Sequence, residues 1–266
     1  MEVEMKNGYV LVAAILMTIA LNLPVSMAEP VVVIPLLSKA KPLGNIITVA
    51  KKNGDFTNLR QAINSISDAS AENPYLIVIA PGKYQVNSTI IMKPYVSITG
   101  SGKKTTTLWG NIGSINATTS AIIRGASNAI LSNIKIENNG PASHTTFVTG
   151  VINYNNLLDM NHVRVHVFGG SGADNINGVR HMGSAGGEIN DCEIDAIGTN
   201  AIGLYLVKGI LVQNSSLQAT AYGLYIGSDA SGTRVKNTFV RGVDDQRAST
   251  TECRDTYDYD FNDVDC

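Results

Sequence analysis

The chain has 266 residues, and 20 Lys+Arg against 22 Asp+Glu leave a net charge of -2. A balance this close removes any bulk electrostatic case for binding nucleic acid. Only 16% of residues are charged, 44% are apolar and 25 are glycine, a mixture that favours many short strands and tight corners over helices.

In chain order, residues 9–23 form an apolar run, and Ser26-Met-Ala28 follows as a small-x-small cleavage site. The run is short for a membrane span, so a signal peptide over 1–28 and an exported chain with no transmembrane anchor are expected. Glu2 and Glu4 suit a signal n-region poorly, and Met5-Lys-Asn7 makes the better start. Residues 29–45, with three prolines and no periodicity, read as a leader into the fold.

The stretch Thr57–Ile66 places Leu59, Ala62, Ile63 and Ile66 on one helical face, with Asp55 or Thr57 as the expected N-cap. A short helix there can cover the open end of a stack of strands. Leu76–Ala80 and Val96–Gly100 are strand-like, with Pro81-Gly82 and Gly100-Ser-Gly102 turning the chain.

From residue 131 onward one pattern recurs: apolar, polar, small polar, apolar, any, apolar. It reads Leu131-Ser-Asn-Ile-Lys-Ile136, Met160-Asn-His-Val-Arg-Val165, Ile189-Asn-Asp-Cys-Glu-Ile194, Val212-Gln-Asn-Ser-Ser-Leu217 and Val235-Lys-Asn-Thr-Phe-Val240. Successive copies start 29, 29, 23 and 23 residues apart. A second apolar strand precedes each copy: Ile122-Ile123, Val151-Ile152, Val179-Arg180, Leu204-Tyr-Leu206 and Leu224-Tyr-Ile226. Strands so short cannot bury their faces alone, but coils stacked about 4.8 Å apart join them into one core. The expected fold is therefore all-β, a single-stranded right-handed parallel β-helix over 46–252, with about six or seven coils and a capping helix. The third pattern position (Asn133, His162, Asp191, Asn214, Asn237) suits a bend bonded to like neighbours above and below.

Ile47–Phe56, the helix, Ile79-Ala-Pro-Gly-Lys-Tyr84 and Val96-Ser-Ile-Thr-Gly-Ser-Gly102 resemble the opening of pectinesterases, and more broadly the pectin-lyase-like β-helix superfamily. The resemblance covers roughly residues 46–110. It implies a mechanism with two aspartates, one nucleophile and one acid/base, beside a glutamine and an arginine on an outward strand face. The family carries these in Gln-Asp-Thr-Leu and Asp-Phe-Ile-Phe-Gly stretches, and neither stands in this chain. The nearest match to the second is Val165-His-Val-Phe-Gly169, with Val165 at the aspartate position. The Gly-His-Gly of polygalacturonases is absent too, so no catalytic residue carries over.

Strand alternation offers candidate sites independent of the family. If Ile122, Val151, Val179, Leu204 and Leu224 point inward, then Ile123, Ile152, Arg180, Tyr205 and Tyr225 form one outward column. Arg180, Tyr205 and Tyr225 there could bind an acidic sugar or simply pack across strands. On another face, His162, Arg164 and His166 stand 29 residues before Asp191, Glu193 and Asp195. That alignment reads either as acid/base chemistry or as a cross-strand charge ladder.

Cys253 and Cys266 are expected to close a C-terminal cap over 253–266 by a disulfide, leaving Cys192 unpaired. Asp258, Asp260 and Asp263 have oxygen ligands at spacings that suggest calcium, without the glycine of an EF-hand loop. No other cofactor is expected. Asn87-Ser-Thr89, Asn116-Ala-Thr118 and Asn214-Ser-Ser216 match the glycosylation pattern.

Three functions are compatible with these features. They are a monomeric exported β-helix that binds polysaccharide or serves as a scaffold, a divergent esterase or lyase acting on acidic polysaccharide, and a purely architectural envelope protein.

Overall fold

The computed structural model describes residues 45–141, 145–154, 156–169, 172–182, 186–245, 251–258 and 262–264. The expected signal peptide and nearly all of the leader lie outside the described residues. Among those residues no helix is long and apolar enough to cross a membrane.

Every strand pairing between coils is parallel, and the rungs add in chain order. A first face carries Asn45–Val49, Tyr75–Ile79, Val96–Thr99 and the opening halves of Ala129–Asn138 and Leu158–Phe168. It continues through Glu188–Asn190, Leu211–Gln213, Arg234–Lys236 and Glu252–Arg254. After a bend, the second face carries Gly82–Gln85, Thr106–Gly110, the closing halves of the two long strands, Glu193–Ile197, Ser216–Ala219 and Phe239–Val240. The third face is a separate sheet of Ile90–Ile91, Ala121–Arg124, Thr145–Tyr154, Ala173–Met182, Ile202–Leu206, Tyr222–Ile226 and Val243–Asp245. Among the described residues the chain is thus a right-handed parallel β-helix of seven complete coils, with a partial rung at either end.

The register follows the repeat spacing. Leu131, Met160, Ile189, Val212 and Val235 pair in succession. The inward positions Leu131, Ile134, Ile136, Val163, Val165, Val212, Leu217, Val235 and Val240 are fully buried. A further copy, Cys253-Arg-Asp-Thr256, stacks on Val235-Lys-Asn-Thr238, so the helix continues past residue 252. Its spacing of 18 residues shortens the coil and hid the copy in the sequence.

The bend residues Asn133, His162, Asp191, Asn214, Asn237 and Asp255 all have φ between 46° and 56°. Asn and Asp tolerate this left-handed geometry best, because their short side chains bond locally. Part of the ladder is direct: Asn237 Nδ2 donates to Asn214 Oδ1 at 2.6 Å, and Asn214 Nδ2 to Asn190 Oδ1 at 2.9 Å. Just inside the bend, Cys192, Ser215 and Thr238 occupy one buried column. Ser215, which stands where the repeat calls for an apolar residue, is satisfied there. Its hydroxyl donates to Gln213 O at 2.7 Å and accepts from Cys192 N at 3.1 Å.

The helix Leu59–Ser65 forms as expected, burying Leu59, Ala62 and Ile63, with Ile66 buried just beyond its end. Its N-cap is Asn58, whose Oδ1 accepts from Arg60 N at 2.9 Å. The expected cap Asp55 is committed elsewhere: its carboxylate accepts from Thr48 N and Thr48 Oγ1, both at 2.8 Å.

Gly150, Gly178, Gly203 and Gly223 stack near the entry to the third face, where one coil's backbone approaches the next. A Cβ on Gly178 would lie 2.4 Å from Ile194 Cγ2 and 2.6 Å from Gly203 O. Gly178→Ala is therefore expected to lower unfolding free energy by about 1–3 kcal/mol, read as a fall in the urea midpoint at unchanged m-value.

Candidate functional site

The third face presents the first candidate surface. Arg180 pairs with Tyr205 and Tyr205 with Tyr225, as alternation requires, and Asp244 follows. The earlier part of the column differs from expectation by one residue. Ile123, not Ile122, aligns with Val151, so Arg124 takes the outward place beside Ile152. Ile122 and Ile123 are both fully buried, and two adjacent isoleucines give no periodicity from which to choose. The column therefore runs Ile91, Arg124, Ile152, Arg180, Tyr205, Tyr225, Asp244, with no carboxylate before its end; Ile152, expected to be exposed, is fully buried within it.

The Tyr205 and Tyr225 rings stack in parallel, with centroids 4.6 Å apart and planes 3° apart. The Arg180 guanidinium carbon lies 4.3 Å from the Tyr205 centroid and 5.3 Å from that of Phe147. Arg124 lies 5.7 Å from the Tyr154 ring centre. Each cation–aromatic contact contributes about 0.5–2 kcal/mol, more as water is excluded. Both faces of Tyr205 are thus occupied, one by Arg180 and one by Tyr225. A ligand meets ring edges, phenol hydroxyls and guanidinium nitrogens rather than an open Tyr205 face. Arg180 has no carboxylate ion-pair partner among the described residues, and its Nε donates to Met182 Sδ at 2.9 Å. Burial pulls its guanidinium below the usual arginine range, with Tyr205 acting in the opposite direction.

The second candidate surface spans the bend and the second face. Arg164 pairs with Glu193 and His166 with Asp195, which is the alignment expected from the 29-residue spacing. His162 Nδ1 lies 2.6 Å from Asp191 Oδ2, His166 Nδ1 lies 3.0 Å from Asp195 Oδ2, and Arg164 Nε lies 3.6 Å from Glu193 Oε2. Lys103 was not legible as a member. From the turn before Thr106–Gly110, three rungs earlier, it reaches Glu193 at 2.8 Å and Asp191 at 3.8 Å.

Every carboxylate in this cluster has a basic partner. The His162 hydrogen bond holds Asp191 below the usual carboxylate range, and the Lys103 hydrogen bond does the same for Glu193. A general acid needs a carboxyl raised toward neutrality, and a nucleophile needs an uncommitted oxygen. Asp191 and Glu193 are tuned the other way, as a charge ladder that fixes register. Val165, the residue at the aspartate place in the nearest match to the pectinesterase motif, is fully buried in the core. Cys192 is a buried free thiol whose pKa burial pushes up to about 12, which removes it as a nucleophile.

The chain end carries the remaining candidates. Asp258 accepts from Asn262 N at 2.9 Å and from Asn262 Nδ2 at 3.1 and 3.2 Å, and Asp263 bridges to Tyr257. Asp258 is thereby used in a turn, while Asp260 lies outside the described residues. No group of three or more His, Cys, Asp or Glu among the described residues could hold a metal ion. Cys253 lies on the last strand, and its expected partner Cys266 is also outside the described residues.

Sequence reasoning also passed over Trp109 and Glu137. Both stand outward on the second face and pair in register. The first has no repeat copy to mark it, because its coil precedes the legible repeats.

Coils, bend ladder and outward columns together define a right-handed parallel β-helix. A solved pectin methylesterase from Aspergillus niger is similar in fold, with a TM-score of 0.55, 12% identity, and coverage of 82% of this chain and 87% of that one. A pectin methylesterase in complex with a hexasaccharide matches with a TM-score of 0.55 and 12% identity, over 82% of this chain and 90% of that one. The Dettilon tailspike protein matches with a TM-score of 0.54 and 13% identity, over 76% of this chain and 47% of that one. No family model matches the sequence, and no curated protein matches it either.

The depressed Asp191 and Glu193 carboxyls set a pH dependence. Their stabilising contribution is complete above the ordinary carboxylate pKa of about 4 and is lost as pH falls through their lower folded values. Urea midpoints measured from pH 7 down to about 2 are expected to fall on acidification. The fall should be shallower in the Asp191→Asn/Glu193→Gln variant.

Proposed function

We propose that this protein is an exported β-helix that binds acidic polysaccharide along its third face, without pectinesterase chemistry. One observation carries the reading: Arg180 is a half-buried cation, stacked in an aromatic column, with no carboxylate ion-pair partner among the described residues. A partly desolvated guanidinium is costly unless an anion completes it, and a uronate carboxylate matches its planar fork. Arg124 repeats the cation two rungs away, so successive acidic sugars on one chain could each meet an arginine. The hexasaccharide in one similar structure belongs to that pectin methylesterase and supports the ligand class here by analogy of fold. The apolar run 9–23 and the small-residue site at Ser26-Met-Ala28 support export.

A second reading, a divergent carbohydrate esterase or lyase, draws on the His162–Asp191 and His166–Asp195 pairs. Each places a carboxylate on imidazole Nδ1, as in a base held by an orienting acid.

A panel of polysaccharides incubated with the mature chain, scored together for binding, methanol release and unsaturated products, separates the readings. Binding without turnover is expected, with Arg180→Ala weakening it about tenfold, the size of one charged hydrogen bond. Turnover that disappears in Asp191→Ala with folding intact would establish the enzyme instead. Failure to bind any glycan would leave an architectural protein. In the oxidising compartment that export implies, Cys253 and Cys266 pair. Thiol titration of the unreduced chain in denaturant should therefore count Cys192 alone.

A further inference from the structure

The second face carries a hollow that neither the charge ladder nor the arginine–tyrosine column uses. Trp109 is the chain's one tryptophan, and it stands outward on Thr106–Gly110 while its neighbour Leu108 fills the core. It remains partly exposed between Gln85 and Glu137, its partners in register on either side. Around it lies an open groove of about 520 Å³, lined by Lys51, Lys83, Gln85, Trp109, Glu137 and Asn139. The groove shares Lys51, Lys83 and Gln85 with a second hollow of about 300 Å³, which extends to Asn58 and Arg60 at the helix start and to Asn87 and Ser88. The two make one trench across the first coils.

The charge in this trench is uneven. Its carboxylate, Glu137, is tied to Lys135 at 2.5 Å, and that hydrogen bond holds it below the usual carboxylate range. Lys51 and Lys83 make no salt bridge among the described residues, although the Lys83 charge also lowers Glu137 and the Asn139 side chain hydrogen-bonds to that carboxylate. Arg60 is occupied by Ser88 O and Thr89 O at 2.6 and 2.9 Å. The trench therefore offers two ammonium groups outside any salt bridge, one indole and the Gln85 amide, with the Asn139 amide shared with Glu137.

We propose that the Trp109 trench is a separate binding site for an acidic oligosaccharide. An indole covers the apolar face of a pyranose ring, the amides of Gln85 and Asn139 meet its hydroxyls, and the two lysines take its carboxylate. A neutral sugar would leave Lys51 without a counter-charge and Lys83 with only a Glu137 already bonded to Lys135. A nucleic acid would need a broad basic surface, and this trench holds Glu137 while the chain carries a net charge of -2. The site lies on a different face from Arg180, so one molecule could hold two stretches of glycan and gain from multivalency. It shares a ligand class with the third-face reading and stands on different residues.

Because Trp109 is the single tryptophan, its fluorescence reports this trench alone. The mature chain would be titrated with a uronate hexamer and with the same hexamer fully methyl-esterified. A saturable emission change is expected with the acid, weakened about tenfold by esterification, by about 0.5 M salt, or by Lys51→Ala/Lys83→Ala. Circular dichroism and the urea midpoint of that variant should match the parent. Arg180→Ala/Tyr205→Ala/Tyr225→Ala should leave the emission titration unchanged while reducing total binding measured by calorimetry.

An absent emission change alongside calorimetric binding that depends on Arg180 would overturn the trench and leave the third-face site standing. An emission titration without Arg180-dependent binding would do the reverse. Equal response to the neutral ester, or indifference to the two lysines, would sink the acidic-ligand assignment. Loss of the emission change in the Arg180 variant would merge the two sites into one and end the claim of separateness.

Discussion

Each coil of this protein turns between its first and second faces at a residue held near φ 50°, and the positions of the outward side chains follow from that bend. A left-handed residue bends the strand from one face to the next in one step, so the apolar positions before and after it both point into the same core. Asn, Asp and, once, His occupy it, because their side chains can bond to a neighbour at the bend. The parallel hydrogen bonds between coils then carry the register of one bend to the next. A slip of one residue would turn every side chain to the opposite face.

Strict register also makes columns. Residues separated by a whole coil in sequence become neighbours about 4.8 Å apart, whatever their chemistry. On the second face this sets Arg164 against Glu193 and His166 against Asp195, and the pairs neutralise one another. On the third face it sets Arg180 on Tyr205 on Tyr225, and no negative group intervenes. The same stacking rule thus yields a closed electrostatic ladder in one place and an unsatisfied cation in another. That contrast makes the third face the more chemically open of the two.

The neighbouring folds include pectin methylesterases and a tailspike, and one scaffold hosts such different proteins because the coil core and the outward columns are nearly independent. Here the core keeps the scaffold while the outward columns carry this chain's own sets of basic, acidic and aromatic side chains. Val165 belongs to that core: it faces inward and helps fill the coil. A polar group there would cost a buried charge.

Much of this was legible from periodicity alone. The spacings of 29 and 23 residues set the pairing of Met160 with Ile189 and of Ile189 with Val212, and the polar third position marked every bend from Asn133 to Asn237. Periodicity failed where its signal was degenerate or nonlocal. Ile122 and Ile123 are both apolar, so the choice of Arg124 as the outward residue waited on pairing with the next coil. Asn58 rather than Asp55 caps the helix because Asp55 is taken by Thr48, a competition no local pattern records. Lys103 joins Glu193 across three rungs, and Trp109 gains its groove from Lys51 and Glu137 on separate segments. The sequence by itself determined the coil, its bend and its register, because these repeat along the chain. Only the tertiary structure decided which side chains meet on the surface, because those meetings occur once, between segments whose spacing carries no period.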